Sequence, residues 1–452
     1  MKIIIAGNGK VGDTLARQLA VEGYDITIID RDKEALNNCV EHNDVMTVEG
    51  NCASQKILRI AGAASANLLI AATGNDEVNL LCCMMARNIN PNIHTISRIR
   101  NPEYTEQAYN MKDEFALAMI INPEKQAAME IERLIRYPGF LKRDTFSKGK
   151  AEIVELKIEP SSKLCGTPLN KIYNVIKCKV LVCAVVRHGV AFTPDGNFTL
   201  LEGDRIFVTA PSDNLSALLK NLGIVTKKIK QVLMIGGGTI SHYLAAMLER
   251  RHIDVKIIEK DERKCRQLSE LLPDAEIVCG DASSQSLLES EGIDSCDALV
   301  ALTGIDETNM IISLYGKSRG VPLTVTKLGR LEDTNIIDNL ALGSIITPRK
   351  LCCNMIIKYV RAMKKQTGAA VTIHSIADGY AEAVEFNIEK DSPHCGEPLK
   401  KLSLKKNVLV ASITHGGETE IPNGDSHYSA GDSVIIVAGS GTVLKRFNDI
   451  FE

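Results

Sequence analysis

The sequence predicts an α/β chain with two doubly wound parallel-sheet domains, each followed by a small α+β domain. Three observations predict it. Short apolar runs alternate with amphipathic segments, a glycine-rich turn joins the first run to the first segment, and the whole pattern returns once, 229 to 230 residues later.

The first element is a short apolar strand over residues 3–6, followed by the turn Gly7-Asn8-Gly9-Lys10-Val11-Gly12. Leu15, Leu19 and Ala20 then recur at helical spacing, and a second apolar run over 26–29 ends on Asp30. Strand, glycine turn, helix, strand and acid in this order form the Rossmann-like dinucleotide-binding fingerprint. Gly7 permits a tight turn, Gly9 lets a phosphate approach the backbone, and Gly12 lets the helix lie close to the strand. The helix N-terminus offers unpaired N–H groups and partial positive charge to a diphosphate. Asp30 stands where a carboxylate accepts hydrogen bonds from ribose hydroxyls.

Further strands are predicted near 45–48, 68–72, 93–97 and 117–121, and in the second copy near 232–235, 255–258, 275–278, 298–302, 323–326 and 343–346. Alternation with helices at this spacing argues for parallel sheets covered on both faces. A helix follows each sheet, starting at Pro123 and at Pro348, where proline is preorganised for the first turn. The first is stopped by Pro138-Gly139, and the second ends before Gly368.

The smaller part reads as a strand over 152–158, a short helix after Pro168, and strands near 180–187, 190–193 and 205–209. Pro194-Asp195-Gly196 is turn chemistry and recurs as Pro422-Asn423-Gly424; Gly203-Asp204 recurs as Gly431-Asp432. The resulting order is 1–138 and 227–366 for the parallel-sheet domains and 139–226 and 367–452 for the small ones, with a linker over 223–230.

The 452 residues carry a formal net charge of −3, so no global basic field points to nucleic acid. Aromatic content of 4% without tryptophan gives no stacking platform for single strands. The sequence contains no apolar run of about 18 residues and opens directly on a strand, which predicts a cytoplasmic protein. Thirteen cysteines without a CxxC predict reduced thiols, with Cys82, Cys83, Cys183 and Cys279 in apolar runs expected to be buried.

Gly7 to Gly12, Asp30, Asp76-Glu77-Val78-Asn79, Asn122-Pro123-Glu124-Lys125, and the set Gly166, Pro168 and Gly203-Asp204 carry a resemblance. With the four-part domain order they resemble the TrkA family, cytoplasmic regulatory subunits of bacterial Trk potassium uptake systems. Each half looks like an RCK (or KTN) domain followed by a TrkA-C domain. The resemblance implies a non-enzymatic protein that binds NAD(H), and in relatives ATP or ADP. It implies a tetramer that forms a ring of eight RCK modules at the inner face of the membrane, beneath a TrkH-type channel subunit. Ligand would change the ring's shape and gate the pore.

In the first half the candidate ligand-binding residues are Gly7, Asn8, Gly9, Lys10, Val11, Gly12, Asp30, Asn51, Cys52, Thr73, Gly74 and Arg98. In the second they are Gly236, Gly238, Thr239, Glu259, Gly280, Asp281, Thr303 and Gly304. Lys10 is either a phosphate contact or a solvated loop lysine. Asn51, where the second half has Asp281, keeps hydrogen bonding but brings no charge. Arg98 reads as a phosphate or cross-subunit contact, or as a surface ion pair. Glu124 reads as helix-dipole stabilisation or as a divalent-cation or intersubunit contact.

The halves are not equivalent: Gly12 becomes Ser241, Lys10 becomes Thr239, Arg98 becomes Lys327 and Glu124 becomes Arg349. This makes the first half the expected stronger adenine-nucleotide site. Acids at both second-strand ends, Asp30 and Glu259, disfavour the 2′-phosphate of NADP. A dehydrogenase would need a proton donor or acceptor beside the nicotinamide, and the nine histidines are dispersed without counterparts in the two copies. Regulation of a different cation transporter is the other alternative.

Overall fold

The computed structural model describes residues 1–146 except 137 and 139, 151–222, 228–329, 340, 342–363, 370–377, 380–439, 442, 444 and 446–452. The expected domain junctions at 139, 226–227 and 366–367, and most of the expected linker, lie outside the described residues. The chain forms two compact units: Met1–Met129 with Thr347–Ile357, and Glu130–Ile346 with Lys358–Glu452.

The first unit is built on β1 (Lys2–Ala6), β2 (Asp25–Asp30), β3 (Met46–Glu49), β4 (Leu68–Ala71), β5 (His94–Arg98) and β6 (Met119–Ile121). Their order is β3-β2-β1-β4-β5-β6, parallel throughout. The crossovers reverse direction between β1 and β4, which opens a crevice at the C-terminal ends of those two strands. Both read as continuous apolar runs because both faces are covered. The helices are α1 (Lys10–Val21), α2 (Lys33–His42), α3 (Gln55–Ile60), α4 (Asp76–Ile89), α5 (Pro102–Asn110) and α6 (Pro123–Arg136). Leu15 and Leu19 of α1 are buried, as their spacing predicts.

The second unit opens with an antiparallel sheet of β7 (Lys142–Phe146), β8 (Ala151–Lys157), β9 (Leu181–Arg187), β10 (Val190–Phe192) and β11 (Arg205–Pro211), in the order β10-β9-β11-β8-β7. Short α7 (Ile172–Ile176) and α8 (Ser212–Asn221) help close one core, with Val154, Leu156, Ile176, Val185, Ile206, Leu215 and Leu218 inside.

A second parallel sheet follows: β12 (Gln231–Ile235), β13 (Asp254–Glu259), β14 (Glu276–Cys279), β15 (Ala298–Ala301), β16 (Leu323–Lys327) and β17 (Ser344–Ile346). Its order, β14-β13-β12-β15-β16-β17, repeats the first. Its helices are α9 (Thr239–Glu249), α10 (Glu262–Leu271), α11 (Gln285–Ser290) and α12 (Asp306–Ser318), and α13 (Pro348–Met363) follows β17. The chain closes on β18 (Ala370–Ile376), β19 (Ala381–Asn387), β20 (Val408–His415), β21 (Glu418–Glu420) and β22 (Ser433–Gly439), ordered β18-β19-β22-β20-β21.

The two antiparallel sheets share one core. Phe146, Ile153, Cys183, Val186 and Phe207 of the first pack with Ile376, Ala383, Ala411, Ile435 and Val437 of the second. Alternation explains this: β8 and β11 send one set of side chains under the helices and the other into the shared core. Each sheet also holds a buried aspartate. Asp204 is fully buried and takes a two-pronged ion pair from Arg187 at 2.7 Å; its counterpart Asp432 takes His415 Nδ1 at 2.8 Å.

Within the first unit, the start of α13 packs on the first parallel sheet's turn, with Cys353 Sγ 3.9 Å from the carbonyl oxygen of Val11. Sequence reading gave no sign of this, since Pro348 stands more than 300 residues from Val11.

Strand ends moved by one or two residues from expectation, and three elements were not foreseen: β7, its counterpart β18, and α8. The thiol expectation needs one correction. Cys82, Cys83 and Cys183 are buried, but Cys279 is exposed because it ends an edge strand.

Candidate functional site

The first glycine turn is built by steric necessity at two positions. Gly7 has φ +102°, and a Cβ there would lie 2.9 Å from the Thr73 backbone. A Cβ on Gly12 would stand 1.9 Å from the Gly7 carbonyl oxygen. Gly9 has open space where its Cβ would be, and it begins α1 without any side-chain cap. By contrast α2, α4 and α5 are capped by Asp32, Asn75 and Asn101. The first-turn N–H groups of α1 therefore lack a side-chain acceptor, and the space beside Gly9 is open, which suits an anion.

Asp30 fixes the turn to the end of β2. Its carboxylate accepts the Asn8 N–H at 2.5 Å and the Asp32 N–H at 3.0 Å. A carboxylate has about four acceptor positions, so two remain for hydroxyl donors. The Asn8 side chain donates to the Ala35 carbonyl at 2.7 Å, and its Oδ1 is buried without a partner. Lys10 is exposed and makes no ion pair among the described residues. Val11 is buried under the turn.

The other side of the crevice is set by a buried amide whose role the spacing of residues 76–79 does not reveal. Asn79, fully buried, accepts from the Thr73 N–H at 2.9 Å and hydroxyl at 2.7 Å, and donates to the Arg98 carbonyl at 2.9 Å. Thr73 and Gly74 are thus held at the end of β4, with open space above Gly74. Asp76 is structural: its carboxylate accepts the Arg100 and Asn101 N–H groups at 2.8 and 2.9 Å.

Arg98 and Glu124 face each other at 3.8 Å, and Arg98 Nε and Glu124 Oε2 are buried without hydrogen-bond partners. Buried polar atoms of this kind call for a ligand, water or partner group. The Cys352 thiol lies beside this pair and is pushed well up, chiefly by burial. Among the described residues no group of three or more His, Cys, Asp or Glu gathers to hold a metal, and Glu124 has an arginine as its neighbour.

Asn51 turns out to serve the backbone: its Oδ1 accepts the Ala53 N–H at 3.1 Å. Cys52 next to it is buried, its thiol pulled down by a hydrogen bond to Cys82.

The second site repeats the frame with altered walls. Glu259 takes the Gly237 N–H at 2.7 Å and the Asp261 N–H at 2.9 Å, as Asp30 does. Thr303 and the Lys327 carbonyl are held by Asn309. Gly236 has φ +99°, while Gly238 and Gly304 have open space above them. Ser241, in the place of Gly12, donates its hydroxyl to the Gly236 carbonyl, so a clash becomes a hydrogen bond. Thr239 starts α9 without a side-chain cap at Gly238. Asp281 accepts the Ser283 N–H at 2.9 Å, which with nearby Lys260 holds its carboxyl below the usual range. A Cβ on Gly280 would meet Leu287 at 2.6 Å.

One wall differs most. Where Asn8 stands in the first turn the second has Gly237, and a Cβ there would lie 2.4 Å from Leu268. Leu268 occupies the helix position of the smaller Cys39 and fills space next to Glu259, which is only 8% exposed. Asp30 is less buried.

With the geometry in place, comparison with known proteins decides the family. The TrkA-N domain matches residues 3–123 and 232–348, and the TrkA-C domain matches 153–223 and 383–451. The chain belongs to the TrkA family. The Trk system potassium uptake protein TrkA homolog of Archaeoglobus fulgidus is 32% identical over 451 residues, covering 100% of both chains. The TrkA protein of Haemophilus influenzae is 30% identical over 461 residues, covering 100% of this chain and 99% of its own. Among solved structures, a GsuK channel bound to NAD superposes with a TM-score of 0.61 at 18% identity, over 97% of this chain and 77% of that one. The human SLO3 gating ring superposes with a TM-score of 0.50 at 13% identity, over 98% and 100%. At those identities the structures speak to the fold alone. Both parallel sheets are TrkA-N domains, and both glycine turns open them.

Proposed function

We propose that this TrkA-family chain is a nucleotide-sensing regulatory subunit of a potassium uptake system. It binds NAD(H), ATP or ADP, and gates a membrane channel subunit of the TrkH type. The observation that carries the reading is the doubled frame of an uncapped helix start, an open glycine and a carboxylate clamped beside the turn.

These residues fit a dinucleotide. The N–H groups at the start of α1 would hold the diphosphate, with Lys10 adding charge at its edge. The two free acceptor positions of Asp30 would take ribose hydroxyls. Thr73 and Gly74 would border the second nucleoside at the switch point between β1 and β4. Arg98 Nε and Glu124 Oε2, buried and unpartnered, would complete their hydrogen bonds with a phosphate or with a second copy of the chain.

The first site is the stronger. Leu268 narrows the second beside its ribose acid, and the turn cation is absent there. The NAD complex of the GsuK channel supports the choice of ligand, and the gating-ring neighbour supports assembly as a ring of RCK modules, here from a tetramer. No described helix is long and apolar enough to cross a membrane. On this reading the chain is a peripheral subunit at the inner face. Gating follows if nucleotide prefers one ring state over the other.

Potassium flux through the partner channel in liposomes, with this chain present and NADH, NAD⁺, ATP and ADP titrated, tests the proposal. Nucleotide-dependent flux that requires the chain is expected. Flux indifferent to every nucleotide would overturn it.

A further inference from the structure

Two thiols lie near each other beside the end of β13. The Cys265 thiol, in the first half of α10, points at the Glu259 carbonyl oxygen at 3.2 Å. Cys279 is the register partner of Glu259 across the β13–β14 pair, so both cysteines neighbour one strand residue. That residue's carboxylate holds the Gly237 and Asp261 N–H groups. The two cysteines differ in access: Cys279 is exposed, and Cys265 is buried. Gly280 and Asp281 follow Cys279 directly, past the end of β14.

We propose that Cys265 and Cys279 form a reversible thiol–disulfide modification site at the rim of the second nucleotide crevice, oxidised by a peroxide. The Cys279 thiolate attacks a peroxide oxygen. The O–O bond breaks, hydroxide leaves and is protonated to water, and Cys279 carries a sulfenic acid. The Cys265 sulfur then displaces that hydroxyl, which leaves as water with the Cys265 proton, and the S–S bond forms. Two thiols and one hydrogen peroxide give one disulfide and two waters.

Exposure sets the order. Cys279 meets the oxidant, while burial, with Cys279 close by, raises the Cys265 thiol to about 11 and keeps it protonated until the sulfenic acid forms beside it. A second thiol contact, Cys52 with Cys82, has both partners buried, so it stays reduced under conditions that oxidise the first pair. Bond formation draws the sulfurs to about 2 Å and pulls the start of α10 onto the end of β14. That movement closes the crevice beside Glu259 and Asp281. This last consequence rests on the nucleotide reading of the second site; the disulfide itself does not.

The full chain is treated with graded hydrogen peroxide, blocked, digested without reductant and mapped by mass spectrometry. A Cys265–Cys279 linked peptide is expected before any loss of free Cys52 or Cys82, and a thiol reductant removes it. In a Cys265→Ser chain, Cys279 is expected to be trapped as sulfenic acid by dimedone. NADH binding by a Gly9→Asp chain, which leaves the second site intact, is measured before and after oxidation, and a loss of affinity reversed by reductant is expected. Failure of that chain to bind NADH even when reduced, with the linked peptide still formed, refutes the nucleotide reading of the second site and leaves the modification standing. Oxidation of Cys52 or Cys82 first, or Cys279 adducts without the linked peptide, overturns the proposal.

Discussion

The buried Asn79 amide donates to the Arg98 carbonyl oxygen at 2.9 Å, tying the end of one strand to a helix that starts at the neighbouring strand. The same amide oxygen receives the Thr73 N–H and hydroxyl. One side chain therefore sets the spacing of two candidate ligand contacts. Asn79→Ala would leave buried backbone groups unsatisfied, at a cost of about 1–3 kcal/mol. Chemical denaturation should show that loss, and nucleotide affinity should fall with it. Asn79→Asp sets a buried carboxylate oxygen against the Arg98 carbonyl, so its loss should be at least as large.

Gly12 and Ser241 occupy equivalent positions under opposite constraints. Gly12→Ala places a methyl on the Gly7 carbonyl, and overpacking of this kind costs about 1–3 kcal/mol. Ser241→Ala removes only the hydroxyl bond to Gly236, worth about 1 kcal/mol. Thermal unfolding of the two variants should show the larger loss in Gly12→Ala.

Arg187 and Asp204 form a buried ion pair with the aspartate wholly inside the protein. Arg187→Ala strands that charge, and removing one partner of a buried pair costs about 3–5 kcal/mol. The partial exposure of Arg187 places the expected loss at the lower end. A melting temperature unchanged from the native chain would show that water replaces the arginine.

On the proposed reading, Asp30 and Glu259 set carboxylates against a 2′-phosphate. NADH should bind more tightly than NADPH, and titration of the two dinucleotides side by side measures it. Asp30→Asn should narrow the difference, although it also weakens the clamp on the Asn8 N–H.

Much of the fold was legible because parallel strands buried on both faces announce themselves as apolar runs, and because the chain repeats. Gly7, Gly9, Gly12 and Asp30 were legible as a spacing within 30 residues. β7 escaped because Lys142-Arg143-Asp144-Thr145 shows no apolar alternation, and α8 because it follows β11 without a break. The reach of α13 to Val11, the Asn79 latch and the meeting of Cys265 with Cys279 depend on which strand ends lie side by side, and spacing alone does not encode that. The swap of Asn8 and Cys39 for Gly237 and Leu268 was visible as sequence, but its meaning is steric and needed the packing.

The central claim is that the first glycine turn is the principal nucleotide sensor. Gly9 and Gly238 both have open space for a side chain, so aspartate at either should fold and place a negative charge where the phosphates would sit. Calorimetric titration of NADH and ATP into Gly9→Asp and Gly238→Asp chains tests the claim most directly. The account predicts a much larger loss of affinity in Gly9→Asp, most pronounced for ATP. Equal losses in the two variants, or a Gly9→Asp chain that binds as the native one does, would contradict it.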